Sequence, residues 1–426
     1  TYLVYRLKDT YYADASEQSG LRSFKDTDFV TVLQNAINTL PLFTSDQTTP
    51  IGGTILIAPG KYLVTTPITI NKNYVNIRGM NGQKDETVSL FTTAPMSDMF
   101  IIGDGVVEKT FINLSNLYLF GGKDLLTRLG IDSIFSPTNS LIKFNFVSDT
   151  YIHNIGMSDS SAKGIQYINN VGIYVSASRF GGCESYGIEL QGLCEGLIIG
   201  NQFLVNNGGL VATLDAIGLT PSQIMVMGNL FGCPGSIGII ALGGRWVIAN
   251  NQFSYSEIAI RLGTTGGGSS ALLNNSSIIG NVVDFNSATA KFIDIQNSSY
   301  NNTIMGNVVL SSGDGITVTL GNNNLIMGNN LQGVSGTKFT LIAGTGNIVK
   351  FNKGYVSENS GATSVADGGT INHGLASAPT TVRCTPSVSG EFISVTALAA
   401  TTFTVAIKKH DGTAGTSQTI YWEAEI

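Results

Sequence analysis

Ile198-Ile199-Gly200-Asn201, Val226-Met227-Gly228-Asn229, Ile248-Ala249-Asn250-Asn251, Ile278-Ile279-Gly280-Asn281, Ile304-Met305-Gly306-Asn307 and Ile326-Met327-Gly328-Asn329 are six versions of one phrase. Each is an aliphatic pair, or nearly so, followed by a small residue and an asparagine. Ile348-Val349-Lys350-Phe351-Asn352 closes the series, and Tyr151-Ile152-His153-Asn154 and Tyr174-Val175-Ser176-Ala177-Ser178 fit it more loosely upstream. The key positions 154, 178, 201, 229, 251, 281, 307, 329 and 352 lie 24, 23, 28, 22, 30, 26, 22 and 23 residues apart. Self-similarity at a period in the twenties marks a repeat architecture. The units are rich in Ile, Val, Phe, Thr, Asn and Gly, and they alternate apolar with polar residues, as strands do. A leucine-rich repeat would keep a leucine skeleton, and none is present. The spacing predicts a right-handed parallel β-helix, each coil stacked on the last at about 4.8 Å. The repeated Asn suits a turn, because it tolerates left-handed backbone. On successive coils such side chains can form a hydrogen-bonded ladder.

Composition agrees with an all-β chain of many tight turns. Among 426 residues there are 51 glycines, 10 prolines and only 12% charged residues. A net charge of −6 with no basic block argues against a nucleic-acid partner. No apolar run is long enough to span a membrane, so no membrane insertion is expected. The chain begins at Thr1, which reads as a fragment or a processed form. Cys183, Cys194, Cys233 and Cys384 show no C-x-x-C spacing and no clustered His, so no metal or other cofactor is expected. The first three fall in neighbouring coils and read as small core residues, with a disulfide as the alternative.

Working outward, residues 1–50 read as an N-terminal cap with a strand pair (Thr1–Arg6, Tyr11–Tyr12) and one helix over 26–40. Phe29, Val32, Leu33, Ala36, Ile37 and Leu40 form its apolar stripe. Such a helix would cover the open strand edge of a solenoid. Residues 51–356 are the expected β-helix, with longer excursions at Lys84–Asp98 and Lys123–Thr138. Residues 357–370, rich in Gly, Ser and Ala, read as a linker. Residues 371–426 read as a small β-sandwich-like module with strands at 381–384, 392–395, 403–407 and 419–422. His373 in that module reads as a structural histidine in a turn.

The helix followed by Gly52-Gly53-Thr54-Ile55-Leu56-Ile57-Ala58-Pro59-Gly60-Lys61-Tyr62, and then by a strand ending Ile77-Arg78-Gly79, resembles the opening segment of the pectate-lyase-like β-helix superfamily. It is similar to the form in viral tailspikes and depolymerases and in archaeal or bacterial surface proteins. The resemblance covers about residues 1–355. It implies the fold, a homotrimer and an extracellular or virion-surface location. It leaves activity open, since that superfamily spans lyases, hydrolases, epimerases and binding spikes. The N-T-D, D-D, G-H-G and R-I-K motifs of polygalacturonase-type hydrolases are absent, as are the pectate lyases' Arg-x-Pro-x-x-Arg and calcium aspartates. The 371–426 module resembles C-terminal modules of viral fibres, which implies trimerisation or glycan binding.

In each coil a second strand precedes the Asn phrase. Alignment on the following Asn predicts one outward column: Lys143, Gln166, Glu189, Asp215, Ala241, Arg261, Asp294 and Thr317 or Thr319. Charges are scarce, so this column is the candidate site. Glu189, Asp215 and Asp294 are the candidate catalytic carboxylates. Carboxyl groups about 5–5.5 Å apart suit a retaining glycosidase and about 6.5–9.5 Å an inverting one. Lys143, Gln166 and Arg261 are candidate substrate ligands, and Trp246, Tyr186 and Tyr255 candidate sugar-stacking rings. Glu184, Glu195 and Glu257 are further carboxylates in turns beside the column. The expected function is hydrolysis of a polysaccharide or cell-surface glycan by a carboxylate pair, with Glu189 and Asp215 expected on adjacent coils. A polysaccharide lyase using Lys143 or His153 as base is the first alternative. A non-catalytic receptor-binding or structural fibre is the second.

Overall fold

The computed structural model describes residues 1–16, 21–41, 53–80, 88–93, 96–121, 138–204, 207–263, 272–285, 287–296 and 299–426. Gly52, the glycine-rich stretch 264–271 and nearly all of the excursion Lys123–Thr138 lie outside them, whereas Lys84–Asp98 is described in larger part and holds the strand Val88–Phe91.

Three long sheets run along the solenoid, with fifteen, ten and eleven strands among the described residues. Nearly every strand pairs in parallel with the equivalent strand one coil away. In the fifteen-stranded first sheet, for example, Ile198 pairs with Val226, then Ile248, Ile278, Ile304 and Ile326. These first members of the aliphatic pairs point inward and are fully buried. The second sheet contributes a stack of Phe180, Phe203, Phe231 and Phe253, with ring centroids 4.7–4.9 Å apart and planes within 9°. Ile165, Ile188, Leu210, Ile239, Ile260 and Ile293 line the core from the eleven-stranded third sheet.

The recurring phrase now has a residue-by-residue account. The small residue sits on a left-handed bend: Gly200, Gly228, Gly280, Gly306 and Gly328 have φ between 62° and 66°. Glycine adopts that conformation without steric cost. The asparagine turns inward and joins a buried ladder. Asn201 Nδ2 donates to Asn229 Oδ1 at 3.1 Å and to Val175 O at 3.0 Å, and the Asn201 backbone N–H donates to the same Oδ1 at 2.8 Å. The pattern repeats through Asn229, Asn251, Asn281, Asn307 and Asn329 to Asn352. Ser178 begins it by donating its N–H to Asn201 Oδ1. Asn154, expected as a key residue, instead occupies the left-handed position (φ 55°), and Ile155 stacks under Ser178. A second ladder of Asn302, Asn324 and Asn347 serves another corner.

At the N-terminus, Tyr2–Leu7, Thr10–Ala15 and Phe24–Asp26 form an antiparallel edge on the first sheet, longer than the expected strand pair. The helix runs Phe29–Thr39, with Asp28 as N-cap accepting from Thr31 N at 2.8 Å. Burial pushes the Asp28 carboxyl up, but its hydrogen bonds from Thr31 and Thr65 outweigh this and leave it below the ordinary value. The helix covers the end of the third sheet. Gln34 accepts from Thr69 N through Oε1 and donates to Thr69 O through Nε2, both at 2.9 Å, so its amide pairs with the exposed strand edge.

The stretch read as a linker is largely structured. Glu358–Val365 is a strand paired with Gln418–Glu425. Its small residues suit close packing: a Cβ on Gly361 would come within 2.8 Å of the Trp422 ring. With Thr381–Pro386 these strands form one three-stranded sheet, and Thr370–Asn372, Thr402–Lys409 and Glu391–Leu398 form another. Phe403, Val405, Ile407, Ile420 and Trp422 fill the space between. His373 is fully buried; its Nδ1 accepts from Leu375 N and its Nε2 donates to Ala399 O.

Two expectations test this architecture. Asn251→Ala removes two donors and an acceptor from a buried column, and an unsatisfied buried group costs about 1–3 kcal/mol. Urea unfolding will show a loss of about 3 kcal/mol, against a negligible change for the exposed Gln252→Ala. None of the four cysteines is joined in a disulfide. Burial pushes the thiols of Cys183, Cys194 and Cys233 up to about 12, and the thiolate is the reactive species. A thiol reagent at mildly alkaline pH will therefore label Cys384 in the folded protein, and the other three only on unfolding.

Candidate functional site

The outward column of the third sheet is built by strand register. Lys143 pairs with Gln166, and Gln166 with Glu189. Beyond Glu189 come Val211, Ile240, Arg261, Asp294 and Thr317. Two expected members are thus displaced. Asp215 lies four residues past the position that stacks on Glu189, beyond the end of the strand Gly208–Thr213. Its Oδ1 accepts backbone N–H groups from Ile217 at 3.0 Å and Leu219 at 2.8 Å, which shape a turn. Ala241 points inward, and its neighbour Ile240 takes the outward place. Alignment on the asparagine fails here because the segment between the strand and the Asn phrase varies in length. On the strand Asp314–Val318 the register selects Thr317 over Thr319.

The column divides into two ionic clusters with an apolar step between. In the first, Glu189 is 8% exposed, and its Oε2 meets Lys163 Nζ at 2.7 Å and accepts from Gln166 Nε2 at 2.8 Å. Gln166 Oε1 in turn accepts from Asn139 Nδ2, which also donates to the buried Asp98. In the second, Asp294 is 2% exposed and lies between Arg261 Nε at 3.2 Å and Lys291 Nζ at 3.5 Å. Gln296 Nε2 donates to Asp294 Oδ1 at 2.8 Å. Val211 and Ile240, only 4% and 9% exposed, form the step. From Glu189 to Asp294 is four coils, about 19 Å along the axis.

Tyr186 stands at the edge of the step. Its ring lies over Gly208, where a Cβ would come within 2.3 Å of ring carbon Cδ1. Burial pushes its phenol up, the Glu189 charge pushes the same way, and Arg261 opposes. The charges of both clusters therefore reach the phenol, although Glu189 and Arg261 themselves lie three coils apart, about 14 Å. Lys163 and Lys291 complete the arrangement, and the sequence reading named neither. Each begins its strand, Lys163–Ile168 and Lys291–Ile295, three residues before a column member.

The other candidates fall elsewhere. Trp246 is fully buried in the core and offers no platform to a sugar. It immediately precedes the strand Val247–Ala249, on its inward side. Tyr255 is 63% exposed at the corner between the second and third sheets, with Glu257 exposed beside it. Glu195 binds Gln223 at the edge of the first sheet, away from the column. His153 also belongs to the first sheet, with Nδ1 2.9 Å from Ser176 Oγ, so it does not meet Lys143. A separate concavity of about 390 Å³ in the C-terminal module is lined by Glu358, Arg383, Glu423 and Glu425. Among the described residues no group of three or more His, Cys, Asp or Glu is placed to hold a metal, and no helix is long and apolar enough to cross a membrane.

No protein-family profile and no curated protein matches the chain. Solved structures do. One is the A-module of a mannuronan C-5 epimerase from Azotobacter vinelandii, at 16% identity and a TM-score of 0.53, covering 76% of this chain and 96% of that one. A second is the surface protein and adhesin PfbA of Streptococcus pneumoniae, at 14% and 0.55, covering 76% and 95%. A third is the Dettilon tailspike protein, at 12% and 0.51, covering 96% and 91%. The likeness is one of fold: this chain is a right-handed parallel β-helix, as the repeats and the opening segment led us to expect.

The ionic clusters make a test of their own. Arg261→Met leaves Asp294 buried with one cation fewer and will cost about 1–3 kcal/mol in urea unfolding. Combining it with Asp294→Leu and Lys291→Met will recover most of that loss, because a buried ionic group replaced whole by apolar side chains is near neutral.

Proposed function

We propose that this chain recognises an extended polysaccharide laid along the outer face of the third sheet. One observation carries the reading: hydrogen-bonded ionic clusters at Glu189 and Asp294 flank the apolar step of Val211 and Ile240, with the Tyr186 ring at its edge. Sugars present hydroxyls at their rims and C–H groups on their faces, and a polar–apolar–polar strip with an aromatic edge suits both. The column from Lys143 to Thr317 spans seven coil steps, about 34 Å, enough for several hexose units. Lys143, Lys163, Arg261 and Lys291 favour a glycan bearing carboxylates. An extracellular or virion-surface location and a homotrimer belong to the same reading.

Cleavage is the second reading. The specific observation in its favour is the Tyr186 ring over Gly208 at the edge of the step, an acid–base group whose phenol feels the charges of Glu189 and Arg261. Hydrolysis would use Glu189 with Asp215, and elimination would use a base at Tyr186 or Lys163. Glu189 and Asp294 are too far apart, at about 19 Å, to serve one glycosidic bond within a chain.

Binding and cleavage are separated by one experiment. A panel of neutral and acidic polysaccharides is titrated calorimetrically, while reducing ends and the ultraviolet absorbance of unsaturated products are followed. Binding to an acidic glycan is expected without product. Tyr186→Ala and Lys163→Met should each weaken it about tenfold, equivalent to about 1.4 kcal/mol. Reducing ends lost in Glu189→Gln or Asp215→Asn would establish hydrolysis, and absorbance would establish elimination. Affinity unchanged in both Tyr186→Ala and Lys163→Met would remove the proposed face.

A further inference from the structure

The outward side of the first sheet changes character at one coil boundary. One outward column reads Asn76, Asn113, Tyr151 and Tyr174, then Leu197 and Met225. The column beside it reads Arg78, Ser115, His153 and Ser176, then Ile199 and Met227. Both turn from polar or aromatic to aliphatic at the same step, between the strands Val171–Ser176 and Gly196–Ile199. At that boundary His153 Nδ1 lies 2.9 Å from Ser176 Oγ. The imidazole is exposed and can exchange protons with water, whereas Ser176 is 6% exposed, between His153 and Ile199 in its column. A hydroxyl within hydrogen-bond reach of an imidazole is the pairing that makes serine a nucleophile. Tyr151 and Tyr174 stand beside the pair, one on each of its two strands, with ring centroids 6.0 Å apart. Across the boundary Met225 is 41% exposed.

We propose that Ser176 and His153 form a second catalytic site, where an O-acyl ester is cleaved by acyl transfer to Ser176. The substrate class follows from the boundary, because an ester joins an apolar acyl group to an alcohol. The acyl chain fits the aliphatic side, and a hydroxyl-bearing alcohol fits the side of Tyr151, Tyr174 and Ser115. The ester carbonyl then lies over Ser176. The first two aliphatic coils extend about 10 Å, which suits short and medium acyl chains. Ser176 Oγ attacks the carbonyl carbon as its proton passes to His153 Nδ1. The bond from that carbon to the alcohol oxygen breaks, and the alcohol leaves with the proton from His153. Water then attacks the acyl-serine while His153 takes one of its protons. The bond to Ser176 Oγ breaks, Oγ recovers a proton from His153, and the carboxylic acid is released. The site shares no residue with the third sheet, so it stands or falls apart from the glycan reading.

The full chain is incubated with a fluorophosphonate, and the adduct is located by peptide mass spectrometry. Hydrolysis of p-nitrophenyl acetate and p-nitrophenyl octanoate is followed in parallel. The adduct is expected on Ser176, and nitrophenol release should fall about a hundredfold in Ser176→Ala and in His153→Gln. Ser277→Ala, outward on the same sheet, should keep the wild-type rate. The rate should fall on acidification, because a protonated imidazole no longer accepts the serine proton, and His153→Gln should lose that dependence. Met225→Glu should slow the octanoate more than the acetate. A hydrogen bond with only a structural role leaves wild-type Ser176 unlabelled and both esters at the buffer rate, which would overturn the proposal whether or not the variants fold. Adduct on another serine, with activity kept in Ser176→Ala, would overturn it as well.

Discussion

A buried carboxamide that needs an identical neighbour above and below is the constraint on which this solenoid depends. Each asparagine of the ladder donates to the next side chain and to a core carbonyl, while its own oxygen accepts from the coil before. An unpaired member would strand several polar groups in an aliphatic interior. The ladder therefore fixes one point in every coil, whatever the rest of the coil does. Coils of 22 to 30 residues stack in register because extra length is taken up at other corners.

From that fixed point, strand pleat assigns every residue to the inside or the outside. The inside is uniform, with aliphatic columns and one phenylalanine stack. The three outsides differ. The third sheet carries carboxylates almost sealed from water by lysine, arginine and amide partners. Groups held this way are pre-oriented and have already lost their rotamer freedom, which lowers the entropic cost of engaging a ligand. The first sheet carries methionine, isoleucine and leucine instead. A single backbone repeat thus supports two surfaces of opposite character, separated by the rotation from one sheet to another.

The fold was readable because its determinants are local in sequence. Ile-x-Gly-Asn encodes an inward residue, an outward residue, a left-handed bend and a ladder amide, in that order. The candidate site was readable only where coil length stayed constant. Gln166 and Glu189 lie one constant coil apart, and their stacking follows from counting. Asp215 and Ala241 were misplaced because alignment on the asparagine counts through a corner of variable length. Trp246 reads from sequence as a surface ring because residues beside a strand can turn either way, and burial depends on the coil above. The second member of each pair, Ile199, Met227, Ile279, Met305 or Met327, is apolar where solvent would favour a polar residue.

The N-terminal helix has a kinetic consequence. Each coil contacts chiefly the coils on either side, so the chain behaves as a one-dimensional lattice. Ladder partners are only 22 to 30 residues apart, and the chain entropy of closing such a loop grows only logarithmically with its length. Each completed coil then serves as a template for the next. Gln34 pairs the helix with the first strand of the third sheet, so one end of the lattice carries a finished boundary made from nearby residues. Winding can start from that boundary and advance as a front. A chain emerging from its N-terminus during synthesis would present the coils in the order in which they can be added.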